Sequence, residues 1–317
     1  MELLIPFATS FALTVTFMPF FIGYFNYKKI GQTIREEGPQ WHDVKTGTPT
    51  MGGTVFIAAI LVTLIVSAFL MKLMNGQMWM VILTFLLFGG IGFMDDFISI
   101  FRKQNEGLTP KQKFVAQLIF SGLVVCLGLF TGVKLDNPIP FLAVPSALVL
   151  VPFAFIWITG FSNAVNLTDG LDGLAGGLNC IAYMAYFVVA LQHGNATILL
   201  VCLVVVGALL GFLIYNKKPA KIFMGDVGSL ALGAGLAIIS LILNDPWSLL
   251  IVGIVFVIET ASVILQVAYF KKTKKRLFKM SPIHHHFEMS GWSEQKVVTV
   301  FWTVGMLAGL YYSVLWA

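Results

Sequence analysis

The sequence predicts an all-α membrane protein that crosses the bilayer about ten times, and three observations indicate this class. Of the 317 residues, 58% are hydrophobic and only 11% are charged. Soluble domains carry about 25% charged residues, so a chain this apolar is typical of an integral membrane protein. The second observation is a series of long apolar segments separated by short polar breaks, and the third is a one-sided distribution of lysine and arginine.

Each apolar segment is long enough, some only loosely, to cross a hydrocarbon core that takes roughly 20 helical residues. The first has no positively charged region before it and no small-residue cleavage site after it, so we expect it to be a retained span. The breaks leave no room for a soluble domain, and residues 1–317 are expected to form a single membrane domain. The segments are 3–25, 50–73, 78–93, 114–132, 142–160, 174–191, 196–215, 227–243, 249–270 and 297–316.

The basic residues predict the orientation of these spans. When alternate breaks are assigned to opposite faces, all of the 20 lysine and arginine residues except Lys72 and Lys134 fall on one face. Because cytoplasmic loops carry the excess of positive charge, that face is expected to be cytoplasmic. An even number of spans then places both termini outside.

Acidic residues are concentrated in the breaks assigned to the cytoplasmic face. Asp95 and Asp96 follow the third apolar segment directly, and Asp169, Asp172 and Asp226 fall in two other inward breaks. Several carboxylates converging on one membrane face indicate a Mg²⁺ and phosphate site. The alternatives are solvated acids at a helix end and an Asx-rich turn between helices.

Two inward breaks, the first one and the one that holds Asp226, combine glycine, basic and aromatic residues. In residues 45–53, glycines allow backbone amides to approach an anion, and Lys45 with the threonine hydroxyls is suited to phosphate or a nucleotide carbonyl. Phe223 lies beside Asp226 and three lysines, where stacking on a nucleobase is plausible. The simpler interpretations are a Gly/Pro turn and a buried aromatic side chain.

Histidine and a buried acid mark the last part of the chain. His284, His285 and His286 would point about 100° apart on a regular helix and could not all bind one metal. They better suit a loop that lays imidazoles along a polyanionic substrate, with a solvated tract or a zinc site as alternatives. Glu259 stands alone in the ninth apolar segment, where an unpaired carboxylate would be costly to bury. One interpretation is that this span is bent or faces a polar groove through which lipid approaches. The other is that the acid is protonated, hydrogen-bonded and structural.

Taken together, these motifs resemble a known family. The stretches GTPTMGG at 47–53, FMGDVGS at 223–229 and SPIHHHFE at 281–288, with the paired aspartates and the Asn/Asp-rich residues 163–173, are similar to the polyprenyl-phosphate N-acetylhexosamine-1-phosphate transferase superfamily. GTPTMGG and SPIHHHFE favour its bacterial phospho-N-acetylmuramoyl-pentapeptide branch. The resemblance extends from the first inward break to the last.

The resemblance implies a reaction, a cofactor and partners. The family transfers phospho-MurNAc-pentapeptide from UDP-MurNAc-pentapeptide to undecaprenyl phosphate, which gives lipid I and UMP, and it uses Mg²⁺. This is the first membrane step of peptidoglycan synthesis, so an active site at the cytoplasmic face of the bacterial cell membrane is expected. Membrane lipid is a further partner, a homodimer is implied, and nucleic acid is not expected as a partner.

The same resemblance assigns roles to residues. Asp226 resembles the Mg²⁺-binding aspartate, Asp95 and Asp96 resemble the pair near the lipid phosphate, and the three histidines resemble a substrate-side loop. Ser99 departs from the family, which commonly has lysine at that position, so the individual lysine roles stay open. Lys103 and Lys111 resemble basic positions close to the acids. The positions that resemble the uridine and diphosphate pocket, in which Phe223 would stack on uracil, are Lys45, Thr50, Asn166, Asp169, Asp172, Asn216 and Phe223.

Several alternatives remain open from the sequence. The lipid phosphate either attacks the sugar-linked phosphorus directly, which we favour, or Asp95 or Asp96 first forms a covalent intermediate. A relative that uses UDP-GlcNAc is the nearest rival in function. A transporter is a remote one, because transporters place charges near the bilayer midplane, whereas here the charges lie overwhelmingly at the inner ends, with Glu259 as the exception.

Overall fold

The computed structural model describes residues 3–28, 31, 45–102, 107–139 and 146–315. In this part of the chain it is helical, contains no strand, and has 10 helices long and apolar enough to cross a membrane, which confirms the predicted fold class. The described residues form twelve helices, of which the ninth and the eleventh are short. The helices are α1 Leu4–Tyr27, α2 Gly53–Leu70, α3 Gly76–Arg102, α4 Pro110–Phe130, α5 Ser146–Thr168, α6 Leu174–Gln192, α7 Ala196–Asn216, α8 Gly225–Ile242, α9 Ser248–Val252, α10 Ile254–Thr273, α11 Ile283–Glu288 and α12 Glu294–Leu315.

The bundle is built around α8. This helix packs most extensively against α3 and α5, and every residue from Val227 to Ile242 is buried. A helix that is apolar all round belongs in the interior of a bundle. Helices α6 and α7 are also mostly enclosed, whereas α1, α4 and α10 expose most of their side chains, as expected for spans that face lipid.

Polar caps set several helix starts. Thr109 and Gln112 form a capping box at α4, in which the threonine hydroxyl accepts from the Gln112 backbone at 3.3 Å, and Pro110 takes the first helical position. Asn195 accepts from the Ile198 backbone at 3.1 Å and starts α7. Such caps satisfy the backbone N–H groups that a helix leaves unpaired at its N-terminus.

The third span extends further than its apolar run predicts. Asp95 and Asp96 were expected where the helix ends, but α3 continues to Arg102, so both acids lie inside the helix. The reason is the sequence that follows them, Phe97 to Phe101, which is again mostly apolar and favours continued helix. Both carboxylates are therefore carried on a rigid element.

The ninth span was predicted as one segment, and it is divided at Gly253. The short α9 ends at Val252, and α10 begins at Ile254. Gly253 adopts φ −99° and ψ 23°, outside helical geometry. This break agrees with the interpretation of Glu259 as part of a bent span.

Candidate active site

A close approach between α3 and α8 forms the floor of the site. Gly92 lies against the backbone of Asp226, where a Cβ atom would overlap the Asp226 carbonyl group. Gly225 adopts φ +74°, which glycine allows at little cost, and a Cβ atom there would collide with Oδ2 of Asp96. The first turn of α8 is thereby pressed against the acidic pair on α3.

This packing brings three of the predicted carboxylates together. One oxygen each from Asp95, Asp96 and Asp226 lies within 4.8 Å of the others. The backbone N–H of Leu108 donates to Asp95 at 2.9 Å, and that of Val227 donates to Asp96 at 3.3 Å. The pair on α3 is therefore held by backbone donors from two different segments.

Lys113 of α4 provides the positive charge at this cluster. Its ammonium group donates to Oδ2 of Asp226 and lies 3.9 Å from Oδ2 of Asp95. The resemblance had selected other lysines: Lys111 is exposed, and Lys103 lies outside the described residues. Lys113 is two positions beyond Lys111 and was missed because only the packing of α4 against α3 and α8 brings it to the acids.

Asn166 lies in the last turn of α5 and orients Asp226. Its amide nitrogen donates to Oδ1 of Asp226 at 2.7 Å and to the hydroxyl of Ser229 at 2.9 Å. The residues around it were expected to form an inward loop, but α5 continues to Thr168. Asn166 therefore projects from a helix towards α8.

Asp169 lies in the turn that follows α5. Burial, and after it the negative charge of Asp226, raises the pKa of the Asp169 carboxyl to about 7, although a hydrogen bond from the backbone of Gly225 opposes this shift. The side chain is thus coupled to the first turn of α8, next to the acidic cluster.

A second polar group surrounds Lys45. The Lys45 ammonium group donates to Asp172 at 2.7 Å and to Glu294 at 2.5 Å, and Glu294 also pairs with Lys218 at 2.8 Å. Burial lowers the pKa of Lys45, but the bonds to Asp172 and Glu294 outweigh it and hold that pKa above its usual value. Glu294 was missed at the sequence level, where the only signal was an acid at the start of an apolar span.

Two predicted substrate residues hold neighbouring loops in place. Asn216 accepts from the backbone of Gly173 at 3.1 Å and donates to the carbonyl of Ile222 at 2.9 Å. Asp172 accepts from the backbone of Ala220 at 3.0 Å in addition to its bond with Lys45. The turn after α5 is therefore joined to the loop between α7 and α8.

The backbone also pairs the segment before α2 with Phe223. The Phe223 N–H donates to the carbonyl of Pro49 at 2.8 Å, and the Gly52 N–H donates to the carbonyl of Phe223 at 2.9 Å. Thr50 is buried between these contacts, and the Phe223 side chain is half-buried. The two predicted nucleotide motifs therefore lie side by side.

The three histidines are not in a loop, as the sequence suggested, but on the short helix α11. His284 is buried and bonds to Glu259 of α10 at 3.1 Å, whereas His285 bonds to Glu288 at 2.9 Å and His286 accepts from the backbone of Lys279 at 3.1 Å. The loop prediction was wrong because a short helix begins after Pro282 and its histidines find partners on α10, within α11 and in the preceding segment. The rings of His284 and His285 lie close together, with centroids 4.1 Å apart, but the three imidazoles bond to three different partners.

The carboxylate cluster has the donor chemistry of a magnesium site. Carboxylate oxygens are hard ligands, and Mg²⁺ is commonly bound by one or two carboxylates together with substrate phosphates. The Lys113 ammonium group is a cation placed among the same oxygens. These residues therefore fit a small divalent cation, and Asp226 is the member with the most side-chain partners.

This all-helical membrane bundle gathers carboxylates from two of its spans, α3 and α8, into one cluster. The family model described as Glycosyl transferase family 4 matches residues 78–244, which include most of α3, all of α8 and all three acids. Curated relatives refine the class. A phospho-N-acetylmuramoyl-pentapeptide-transferase of Lactobacillus gasseri is 52% identical over 314 residues, covering 99% of this chain and 98% of the relative.

Two other relatives bear the same name. The protein of Enterococcus hirae is 51% identical over 312 residues, or 98% of this chain and 97% of its own length. That of Enterococcus faecalis is 50% identical over 309 residues, or 96% of both. The chain belongs to the phospho-N-acetylmuramoyl-pentapeptide-transferase family, as its motifs suggested.

Proposed function

We propose that this protein transfers phospho-MurNAc-pentapeptide from UDP-MurNAc-pentapeptide to undecaprenyl phosphate, with lipid I and UMP as products. The main observation in support is the convergence of Asp95, Asp96 and Asp226 with Lys113 at one end of the bundle. Such a cluster suits charge neutralisation during phosphoryl transfer, which depends on positioning and electrostatics more than on covalent chemistry. The near full-length relatives identify which transfer it is.

Mg²⁺ is the cofactor we propose, with Asp226 as its ligand. When bound, the ion would supply charge neutralisation of the diphosphate. Asn166 holds Asp226 by a hydrogen bond at 2.7 Å, so the carboxylate is oriented in advance. Lys113 compensates the same acids and is free to turn towards substrate phosphate, because lysine binds phosphate as a flexible point charge.

The reaction we propose is a single displacement. An oxygen of the lipid phosphate, already anionic near neutral pH, attacks the sugar-linked phosphorus, the bond from this phosphorus to the UMP oxygen breaks, and UMP leaves with that electron pair. Asp95 and Asp96 position the acceptor phosphate in this scheme, and neither needs to remove a proton. A covalent step at either aspartate would release UMP before the lipid is added, so UMP measured with and without lipid distinguishes the two schemes.

The remaining roles follow from the proposed substrate. Lys45, Thr50, Asp169, Asp172, Asn216 and Phe223 line the side that we assign to uridine and diphosphate, and Lys103, Lys111 and the three histidines contribute to substrate binding around it. The bonds of Asp172 and Asn216 to neighbouring loops support an indirect part for these two residues. We place the site at the cytoplasmic face of a bacterial cell membrane, with a single catalytic domain over residues 1–317 and a homodimer as the assembly.

A direct assay tests this proposal. Detergent-solubilised protein is given undecaprenyl phosphate and Mg²⁺ with either UDP-MurNAc-pentapeptide or UDP-GlcNAc, and UMP release is measured. We expect release with the first nucleotide and background with the second. Release with UDP-GlcNAc alone would assign the protein to the other branch of the superfamily, and release with neither would contradict the proposed activity.

A further inference from the structure

Glu259 and His284 form a buried polar pair away from the acidic cluster. Glu259 is 0% exposed on α10, His284 is 1% exposed on α11, and their facing atoms lie 3.1 Å apart. A lone carboxylate within a membrane span is costly unless a polar partner compensates it. We assign Glu259 as a carboxylate, whose oxygens only accept hydrogen bonds, and this assignment makes Nδ1 of His284 the donor to Oε1 of Glu259.

The other ring nitrogen of His284 faces the active-site turn. Nε2 is buried and has no hydrogen-bond partner among the described residues. It lies against Gly170, where a Cβ atom would overlap it, and Gly170 is next to Asp169 in the turn after α5. A buried polar nitrogen without a partner costs about 1–3 kcal/mol, so its retention beside this turn points to a ligand that completes it.

The orientation of Nε2 depends on Glu259. An imidazole can rotate and exchange its proton between the two nitrogens, and a carboxylate on Nδ1 fixes both choices. With Nδ1 donating to Glu259, Nε2 of the neutral ring is an acceptor. We infer that Glu259 is a positioning residue that holds His284 so that Nε2 accepts a hydrogen bond from an N–H or O–H of the sugar or peptide part of the nucleotide substrate.

This inference rests on the proposed function, and it differs from a role for Glu259 in a lipid groove. The acid touches His284 and directs it to the turn that also holds Asp169. Loss of the pair should therefore raise the KM for UDP-MurNAc-pentapeptide and leave the KM for undecaprenyl phosphate unchanged. A contact made equally in the ground and transition states raises KM with little effect on kcat.

The test uses four variants of the full chain in the UMP assay. Glu259→Leu removes the acceptor and replaces a buried acid with an apolar side chain, and Glu259→Gln is the conservative variant because its carbonyl still accepts from Nδ1. His284→Leu and the double variant Glu259→Leu/His284→Leu complete a cycle. We expect about a tenfold rise in the nucleotide KM for both single leucine variants, the same rise for the double variant, and near-parent KM for Glu259→Gln.

Each outcome is decisive. Parent-like KM in Glu259→Leu, losses that add in the double variant, or a rise in the lipid KM alone would overturn the inference. If Glu259→Leu fails to fold, the double variant, which leaves no orphaned buried partner, and Glu259→Gln still carry the comparison. Asp245→Asn serves as the control, because this acid lies beyond the C-terminal end of α8, whereas Asp226 lies in the first turn of that helix; it bonds to Tyr312, and the variant is expected to keep both KM values. Absence of UMP release by the parent protein would instead contradict the proposed function.

Discussion

Asp226 is the residue on which the acidic cluster is centred. It accepts from Lys113 and Asn166, and its backbone is pressed against Gly92. With two acidic neighbours within 4.8 Å, Asp226 belongs to a cluster that could hold a cation, which is the role we propose for it.

Asp226→Asn is therefore expected to keep the fold and lose activity by about a hundredfold or more, as when one charge-stabilising group is removed from a catalytic site. UMP release is measured across a Mg²⁺ titration, with thermal unfolding as the check on folding. Turnover within a fewfold of the parent at ordinary Mg²⁺ would remove Asp226 from the metal site.

Phe223 tests nucleotide recognition. If its half-buried ring stacks on uracil, Phe223→Ala should weaken UMP binding by about 1 to 3 kcal/mol, and Phe223→Trp should retain most of the affinity because stacking requires only a flat aromatic face. Isothermal titration calorimetry with UMP measures both. Equal affinity for UMP in the parent and in Phe223→Ala would mean that the ring only packs.

At the residue scale, sequence reasoning selected the acids but not their partners. Asp95, Asp96 and Asp226 stood out because charge is rare in this chain and was concentrated in short breaks. The partners Lys113 and Glu294 looked like ordinary helix-end charges, since only packing between distant segments brings them to the site. The pairing of Glu259 with His284 likewise joins two helices, and no local pattern encodes it.

At the element scale, the site depends on how closely α3 approaches α8. Gly92 faces α8 and has no room for a Cβ atom, whereas Gly90 has no atom within 4 Å of that position. The two glycines lie on the same helix and differ in this respect alone, which makes them a matched pair.

Gly92→Ala should push α3 away from the first turn of α8 and displace Asp96 from Asp226, so we expect at least a tenfold loss of UMP release and a stability loss of about 1–3 kcal/mol. Gly90→Ala should match or slightly exceed the parent in stability, because alanine favours helix. Activity and thermal unfolding are measured for both. Equal activity in the two variants would show that the α3–α8 contact does not position the acids.

Apart from the division of the ninth span at Gly253, the elements that sequence analysis misjudged are those in which helix continues through polar residues. α3 passes Asp95 and Asp96, α5 includes Asn166, and α11 contains the histidines. Hydropathy detects the apolar part of a span and ends it at the first polar residue. In the folded protein the helix continues past these polar residues, because their side chains bond to partners on neighbouring helices while the backbone stays helical.

For the whole molecule, the number of spans was predictable because a bilayer sets the length of each helix, and hydropathy measures that length. Orientation relative to the two membrane faces rests on the distribution of basic residues alone. Residues that the sequence assigned to the inner face are also neighbours in the structure. Asp95 lies beside Asp226, and Lys45 pairs with Glu294.

Labelling of single cysteines tests this orientation. On a background without Cys126, Cys180 and Cys202, the exposed Lys275 is replaced by cysteine in one variant and the exposed Asp136 in another. Residue 136 lies in the outward break between α4 and α5, and its side chain is exposed. Both side chains are exposed, so a water-soluble thiol reagent can reach either one when it is on the same side of the membrane. An impermeant reagent therefore labels only the cysteine on its own side.

In intact cells, an impermeant thiol reagent should label the cysteine at 136 and not that at 275, and inverted vesicles should give the reverse, because the basic loops remain on the cytoplasmic side. Labelling of both after the membrane is permeabilised confirms that each thiol can react. Labelling at 275 from outside would invert the topology. The carboxylates would then face away from the cytoplasm, where the nucleotide substrate is made, and the proposed transfer could not occur at this site.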